Sequence, residues 1–351
     1  QDGTTLIVDG DSGTVYLNAG DDDLASARQW QQAQRDKLLQ ATREAQQPAR
    51  TRDGQQVEVA ANVNRPEQVA AALQAGAEGV GLMRTEFLFL ERDSAPDEEE
   101  QYQTYRAMLA ALEGRPLVIR TLDIGGDKQV PYLNLPHEEN PFLGVRGVRL
   151  LLRRPDLMLP QLRALYRAAA HGPLSIMFPM VSTLAEVKLL RAQCEQVRAE
   201  LNAPVVPLGI MVEVPAAATM ADRLAEHVDF FSVGTNDLTQ YVLAIDRQHP
   251  ELAAEADSLH PAVLRLIAQT VAGARAHGRW VGVCGGMAGD PLGAAILTGL
   301  GVSELSMSPR DIPAAKASIR AADLAALQAL AQAALGCDSA AEVRALQGAQ
   351  A

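Results

Sequence analysis

The chain has 351 residues, enough for one large domain or two ordinary ones, with 48% hydrophobic residues and a formal charge of −12. The acidic balance argues against a nucleic-acid surface or an anionic membrane as partner, and an anionic ligand would need local arginines to override that field. No apolar run is long enough to span a bilayer, and the opening Gln1-Asp2-Gly3 is no signal peptide. The cysteines, Cys194, Cys284 and Cys337, form no C-x-x-C pair and no even framework, which points to a reducing, cytoplasmic setting. Aromatic residues are few, so the core must be built from Ala, Leu, Val and Ile. The chain reads as starting partway through a larger protein, because a strand begins at once without an initiator methionine.

Residues 5–8 and 14–17 are short β-runs joined by Asp9-Gly10-Asp11-Ser12-Gly13, a hairpin signal. Asp21-Asp22-Asp23 opens a polar segment, 24–47, with apolar residues near helical spacing; the acids suit the positive end of a helix dipole. It reads as a linker helix ended by 48–54. From residue 57 the pattern alternates. Strands are expected at 57–63, 79–83, 117–119, 174–179, 208–214, 228–233, 280–284 and 304–307. Helices are expected at 64–75, 97–112, up to 170, 216–224, 261–276, 291–300, 312–320 and 323–335. Thr183 with Glu186 is a capping box, and behind it Leu184, Val187, Leu190, Cys194, Val197 and Leu201 follow the 3.6-residue period. A Gly- and Pro-rich insertion occupies 123–144. About eight alternations of short, apolar strands with helices predict an α/β chain folded as a (β/α)8 TIM barrel, preceded by a short β-hairpin remnant and a linker helix. No internal repeat is evident.

The stretch Ser232-Val233-Gly234-Thr235-Asn236-Asp237-Leu238-Thr239-Gln240-Tyr241 follows an apolar run and breaks at Gly234 into an amide and a carboxylate. That is the make-up of a ligand-facing loop above a parallel sheet, and equally of a helix start capped by Asn236 or Asp237. In a (β/α)8 barrel, active sites lie at the C-terminal ends of the strands. The residues expected there are Arg84, Arg120, Glu213, Asn236, Asp237 and Cys284. Arg84 and Arg120 end consecutive strands, and Arg146 and Arg247 lie in following loops. Guanidinium groups converging on one mouth repel each other unless an anion is present; the bland reading pairs each with a surface acid. Glu213 and Asp237 end adjacent strands and would raise each other's pKa unless a cation sits between them, which suits Mg²⁺ with water and substrate oxygens completing its shell. Pairing of Glu213 with an arginine is the alternative. Cys284, beside Gly285-Gly286 in that mouth, is a candidate for acid–base chemistry, although buried cysteines are usually inert. None of the six histidines has metal-ligand spacing, and His260 reads as a cap or loop residue.

Five long motifs then carry a resemblance. Gly81-Leu82-Met83-Arg84-Thr85-Glu86-Phe87-Leu88-Phe89, Arg120-Thr121-Leu122-Asp123-Ile124-Gly125-Gly126-Asp127-Lys128, Glu139-Asn140-Pro141-Phe142-Leu143-Gly144-Val145-Arg146, Met211-Val212-Glu213-Val214-Pro215-Ala216-Ala217-Ala218 and Gly234-Thr235-Asn236-Asp237-Leu238-Thr239-Gln240-Tyr241 resemble the C-terminal half of enzyme I. Enzyme I is the phosphoenolpyruvate–protein phosphotransferase of the bacterial sugar phosphotransferase system. The likeness runs from about residue 57 to about residue 320, with the motifs in family order.

The resemblance implies a cytoplasmic, homodimeric (β/α)8 domain that binds phosphoenolpyruvate and Mg²⁺ and releases pyruvate. Carried over by position, Arg84 and Arg120 hold the phosphoryl group, and Arg146 and Arg247 engage the substrate further, Arg247 near its carboxylate. Asn236 and Asp237 contact substrate, Glu213 and Asp237 bind the metal, and Cys284 protonates the enolate carbon. The family's acceptor is a histidine on a separate swivelling domain, which passes the group to a phosphocarrier protein; no histidine here has its Ser-His surroundings. Residues 1–20 resemble the tail of that domain, 21–54 the linker helix, and 55–351 the substrate-binding and dimerisation barrel. Gly286 stands where well-known members carry an acid. Together with Leu259-His260-Pro261, this form is more similar to the fused multiphosphoryl transfer proteins of fructose uptake. The competing readings are a pyruvate phosphate dikinase or phosphoenolpyruvate synthase fragment, and a non-catalytic dimerisation and sensing module.

Overall fold

The computed structural model describes residues 5–10, 13–125 and 130–349. The predicted turn residues Asp11 and Ser12, the opening Gln1-Asp2-Gly3, and motif residues Gly126, Asp127 and Lys128 lie outside the described residues. The chain opens with the antiparallel pair β1 (Ile7–Asp9) and β2 (Thr14–Tyr16), followed by α1 (Asp21–Arg43). Three aspartates occupy the first turn of α1, and Ala41 is its one buried residue. A two-residue strand, β3 (Ala49–Arg50), which the pattern did not predict, then pairs antiparallel with the first barrel strand.

Short runs buried on both faces make the expected parallel ring: β4 (Gln56–Asn62), β5 (Val80–Met83), β6 (Leu117–Arg120), β7 (Leu174–Phe178), β8 (Leu208–Val212), β9 (Phe230–Val233), β10 (Trp280–Val283) and β11 (Glu304–Met307). Each pairs with the next, and β11 pairs with β4, so the ring closes. The surrounding helices are α2 (Val69–Gln74), α3 (Glu98–Leu112), α4 (Val148–Leu151), α5 (Pro155–Ala168), α6 (Leu184–Leu201), α7 (Pro215–Thr219), α8 (Ala221–Leu224), α9 (Thr235–Leu243), α10 (Pro261–Arg275), α11 (Pro291–Leu300), α12 (Ile312–Ala321), α13 (Leu324–Gly336) and α14 (Ala340–Ala345). The apolar stripe of α6 buries Val187, Leu190, Cys194 and Val197, and its Thr183–Glu186 capping box forms as expected. His260 caps α10, its Nδ1 accepting from the Ala262 N–H at 3.1 Å.

Three local expectations change. Residues 216–224 are two helices, because Met220 leaves the helical region at φ −100° and ψ 19°. The stretch after β9 is helical from Thr235, and its cap is Gly234 with no side-chain bond, so Asn236 and Asp237 lie in the first turn rather than capping it. The final short helix, α14, was not anticipated; Ser339 caps it by accepting from the Glu342 N–H at 3.2 Å. No helix among the described residues is long and apolar enough to cross a membrane.

A large apolar cluster lies between the strands and the helices. A second one, Leu82, Val118, Met177, Met211, Phe230 and Cys284, fills the inside of the ring, so the barrel is a packed core with chemistry possible only at its ends. At the opposite end from the mouth, the carboxyl of Glu304 is buried. Gly81 makes room for it: a Cβ there would lie 2.7 Å from Glu304 Oε1 and 2.5 Å from Ser306 Oγ. Burial first, and then the neighbouring carboxylates Glu58 and Glu78, push the Glu304 carboxyl up to about 8. An unfolded glutamate releases its proton near pH 4.5 while the folded one keeps it, so this contribution is fully present at low pH and is lost as pH rises through that window. Stability should therefore fall between pH 5 and 8, by up to about 1.4 kcal/mol per pH unit. Urea denaturation across this range should show a shallower slope in Glu304→Gln. A slope unchanged in the variant would contradict this.

Candidate active site at the barrel mouth

The mouth residues come from strand ends, where short apolar strands run out into polar loops. Arg120 is the last residue of β6, Arg84 and Glu213 directly follow β5 and β8, and Cys284 directly follows β10. Asn236 and Asp237 are carried on the first turn of α9, with Arg247 in the loop beyond it. Arg146 arrives from the long insertion after β6. All eight of these sequence-derived candidates line one pocket of about 100 Å³, together with Asp123.

The charges are arranged as alternating pairs. Buried Arg120 bonds through its Nη2 to Glu86, and its Nη1 lies 3.5 Å from Asp123. Asp123 accepts from Arg146 at 2.9 and 3.3 Å, and Arg146 reaches on to Asp237 at 3.3 Å. Arg247 stands 3.7 Å from the same Asp237 oxygen. Burial works against the charged form of Arg120, and Glu86 and Asp123 outweigh it. Burial and then Arg120 depress the pKa of Arg84, and among the described residues no acid lies within ion-pair distance of it. Arg120 Nε is buried and finds no acceptor among the described residues. The arginines thus divide: Arg120, Arg146 and Arg247 have acid partners, but these are the buried mouth acids Glu86, Asp123 and Asp237 rather than the surface acids of the bland reading, and Arg84 is open to a ligand.

Glu213 is not paired with an arginine among the described residues. Its Oε1 accepts from the Met180 N–H at 2.6 Å, and Met180 adopts φ 59°, a conformation an L side chain rarely takes. Burial first, and then Asp237 and Asp123, raise the Glu213 pKa well above the usual carboxylate range. Oxygens of Asp123, Glu213 and Asp237 all lie within 4.8 Å of one another, and all three residues are buried. A crowded, hard, all-oxygen donor set of this kind suits a small divalent cation such as Mg²⁺.

The loop after β10 lies directly against α9. A Cβ on Gly285 would sit 2.0 Å from Thr235 Oγ1, so no other residue fits there. The Gly286 N–H donates to Asn236 Oδ1 at 3.1 Å. Beyond that oxygen, at 3.3 Å, a Cβ on Gly286 would meet nothing within 4 Å, so the site has room for a side chain that this sequence lacks. The Cys284 thiol is buried and lies 3.7 Å from the Val233 carbonyl; burial raises its pKa against the opposing pull of Ser232, Arg84 and Arg120. It is therefore held protonated.

A family model described as the phosphoenolpyruvate-binding domain of phosphoenolpyruvate-utilising enzymes matches residues 39–324. The chain belongs to this family. Among similar proteins of this kind, the multiphosphoryl transfer protein of Xanthomonas campestris pv. campestris is 66% identical over 99% of this chain and 42% of its own length. That of Rhodobacter capsulatus is 52% identical over 98% and 42%. The phosphoenolpyruvate-protein phosphotransferase of Staphylococcus carnosus is 45% identical over 97% and 61%. The chain therefore spans roughly two-fifths to three-fifths of the length of these relatives. A solved citrate lyase from Burkholderia xenovorans LB400 aligns with a TM-score of 0.50 at 21% identity, covering 84% of this chain and 83% of that one, a likeness of fold alone.

Sequence reasoning gave no role to Glu86 or Asp123, the acids that hold Arg120 and Arg146. Both sat within quoted motifs, two and three residues beyond a strand-end arginine, and that spacing was the available signal. Removing Glu86 leaves a buried guanidinium short of its partner, so Glu86→Ala should cost about 3 kcal/mol of folding stability by chemical denaturation. Glu100→Ala, which breaks the exposed Arg92–Glu100 pair, should cost less than about 1 kcal/mol. Equal losses would show that burial does not govern the Arg120 pair.

Proposed function

We propose that this chain binds phosphoenolpyruvate with Mg²⁺ at the barrel mouth and delivers the phosphoryl group to a histidine on another part of a longer protein, releasing pyruvate. The observation that carries this reading is one pocket lined by Arg120, by Arg84, which has no acid partner among the described residues, and by the three clustered carboxylates of Asp123, Glu213 and Asp237. The family match and the similarity to multiphosphoryl transfer and phosphoenolpyruvate-protein phosphotransferase proteins support it.

Arg84 and Arg120 hold the phosphoryl oxygens, and Arg146 and Arg247 engage the rest of the substrate, Arg247 its carboxylate. Asn236 contacts the substrate. Glu213 and Asp237, with Asp123 beside them, are the residues that would hold Mg²⁺. When bound there, the cation neutralises charge on the substrate and transferring group. As the bond from phosphorus to the enol oxygen breaks and one to the histidine nitrogen forms, the enolate is left to take a proton at its methylene carbon. The protonated Cys284 thiol supplies that proton, and solvent restores it afterwards. The phosphocarrier that receives the group downstream and homodimerisation through the barrel belong to the same reading.

Calorimetry on the chain should detect phosphoenolpyruvate binding that requires Mg²⁺ and is lost in Glu213→Ala. Equal binding without metal would sink the metal assignment. With a phosphoryl-accepting histidine domain supplied in trans, Cys284→Ala should bind phosphoenolpyruvate within about twofold of wild type and form pyruvate about 10²- to 10⁴-fold more slowly. Normal pyruvate formation by that variant would remove Cys284 from the mechanism.

A further inference from the structure

Behind the two arginine-bearing loops lies a closed network of neutral polar groups. Gln161 on α5 is only 1% exposed. Its Oε1 accepts from the Leu122 N–H at 2.9 Å, and its Nε2 donates to Thr85 Oγ1 at 3.1 Å and to the Tyr105 hydroxyl at 3.2 Å. Thr85 in turn donates to the Arg120 carbonyl at 2.9 Å, and Tyr105 donates to Gln101 Oε1 at 3.1 Å. A backbone N–H can only donate, so the oxygen of Gln161 must face Leu122 and its nitrogen must face the two hydroxyls. Each hydroxyl then accepts once and donates once. A flipped amide would set two donors against each other at Leu122.

The anchor points give the network its meaning. Thr85 stands between Arg84 and Glu86. The Arg120 carbonyl and the Leu122 N–H flank Thr121 and lead into Asp123. One buried amide thus joins the loop after β5, which carries Arg84, to the loop after β6, which begins directly after Arg120. Those guanidinium groups repel each other, and this repulsion adds to the burial that depresses the pKa of Arg84. Burial holds the Tyr105 phenol neutral, so the tie adds no charge of its own next to Glu86.

We propose that Gln161 is a positioning residue that fixes the spacing of Arg84 and Arg120 for a phosphoryl group. This rests on the phosphoenolpyruvate reading above. Its signature is selective, because a shift between these two arginines weakens a ligand that bears the phosphoryl group and leaves the same carboxylate without it.

The test is calorimetry at saturating Mg²⁺ with phosphoenolpyruvate and, separately, pyruvate. It compares wild type, Gln161→Leu, Thr85→Val and Leu162→Ala. Leu162 is buried on the same helix outside the network, so its truncation lowers stability by leaving a cavity. Gln161→Leu and Thr85→Val should each weaken phosphoenolpyruvate binding about tenfold or more while leaving pyruvate binding nearly unchanged. Leu162→Ala should leave the ratio of the two affinities at the wild-type value. If Gln161→Leu fails to fold, Thr85→Val, which cuts the same tie at its other end, decides alone. A wild-type ratio in the folded network variants, or an equal shift in Leu162→Ala, would overturn the inference. A wild-type chain that binds neither ligand overturns the phosphoenolpyruvate reading itself, and this inference with it.

Discussion

The mouth of this barrel depends on compensation between buried charges. Arg120 is held by Glu86 and Asp123, Asp123 also holds Arg146, and Arg146 reaches Asp237, so charge alternates across three strand ends. Taking such groups out of water is costly, and the cost is recovered only when each charge meets its opposite in good geometry. The ring of strands provides that geometry, because it fixes where each loop begins. Counted together, four arginines (84, 120, 146 and 247) face four acids (86, 123, 213 and 237), a formal sum of zero. A polyanionic substrate entering a neutral set needs added positive charge. The clustered oxygens of Asp123, Glu213 and Asp237 are where a divalent cation would supply it.

The two ends of the barrel handle buried carboxyls in opposite ways. At the mouth, acids pair with arginines or crowd where a cation fits. At the far end, burial and then the carboxylates of Glu58 and Glu78 act on Glu304, and the natural outcome is a retained proton. One end thus favours stored charge and ligand chemistry, while the other favours neutrality and packing.

Much of this was legible in the sequence, and the reasons are physical. Short apolar runs that alternate with amphipathic helices have few other ways to bury both faces of every strand. Once the barrel is inferred, the polar residue ending each strand is placed almost automatically, which is why Arg84, Arg120, Glu213 and Cys284 converge on one pocket. What stayed hidden depended on pairing in three dimensions. Glu86, Asp123 and Gln161 look like ordinary polar residues until the loops are brought together. The register of α9 was hidden for a local reason: its cap is a glycine without a side-chain bond, so the sequence offered a loop or a start capped by Asn236 or Asp237 rather than a helix from Thr235. The split at Met220 was likewise invisible, since neither neighbour is a helix breaker.

The most direct test of the account is a crystal structure of the chain grown with phosphoenolpyruvate and Mn²⁺, whose anomalous scattering locates the cation without assumption. The account predicts a metal peak between Glu213 and Asp237, with phosphoryl oxygens on Arg84 and Arg120. A metal bound elsewhere, or a phosphoryl group held away from both arginines, would contradict it.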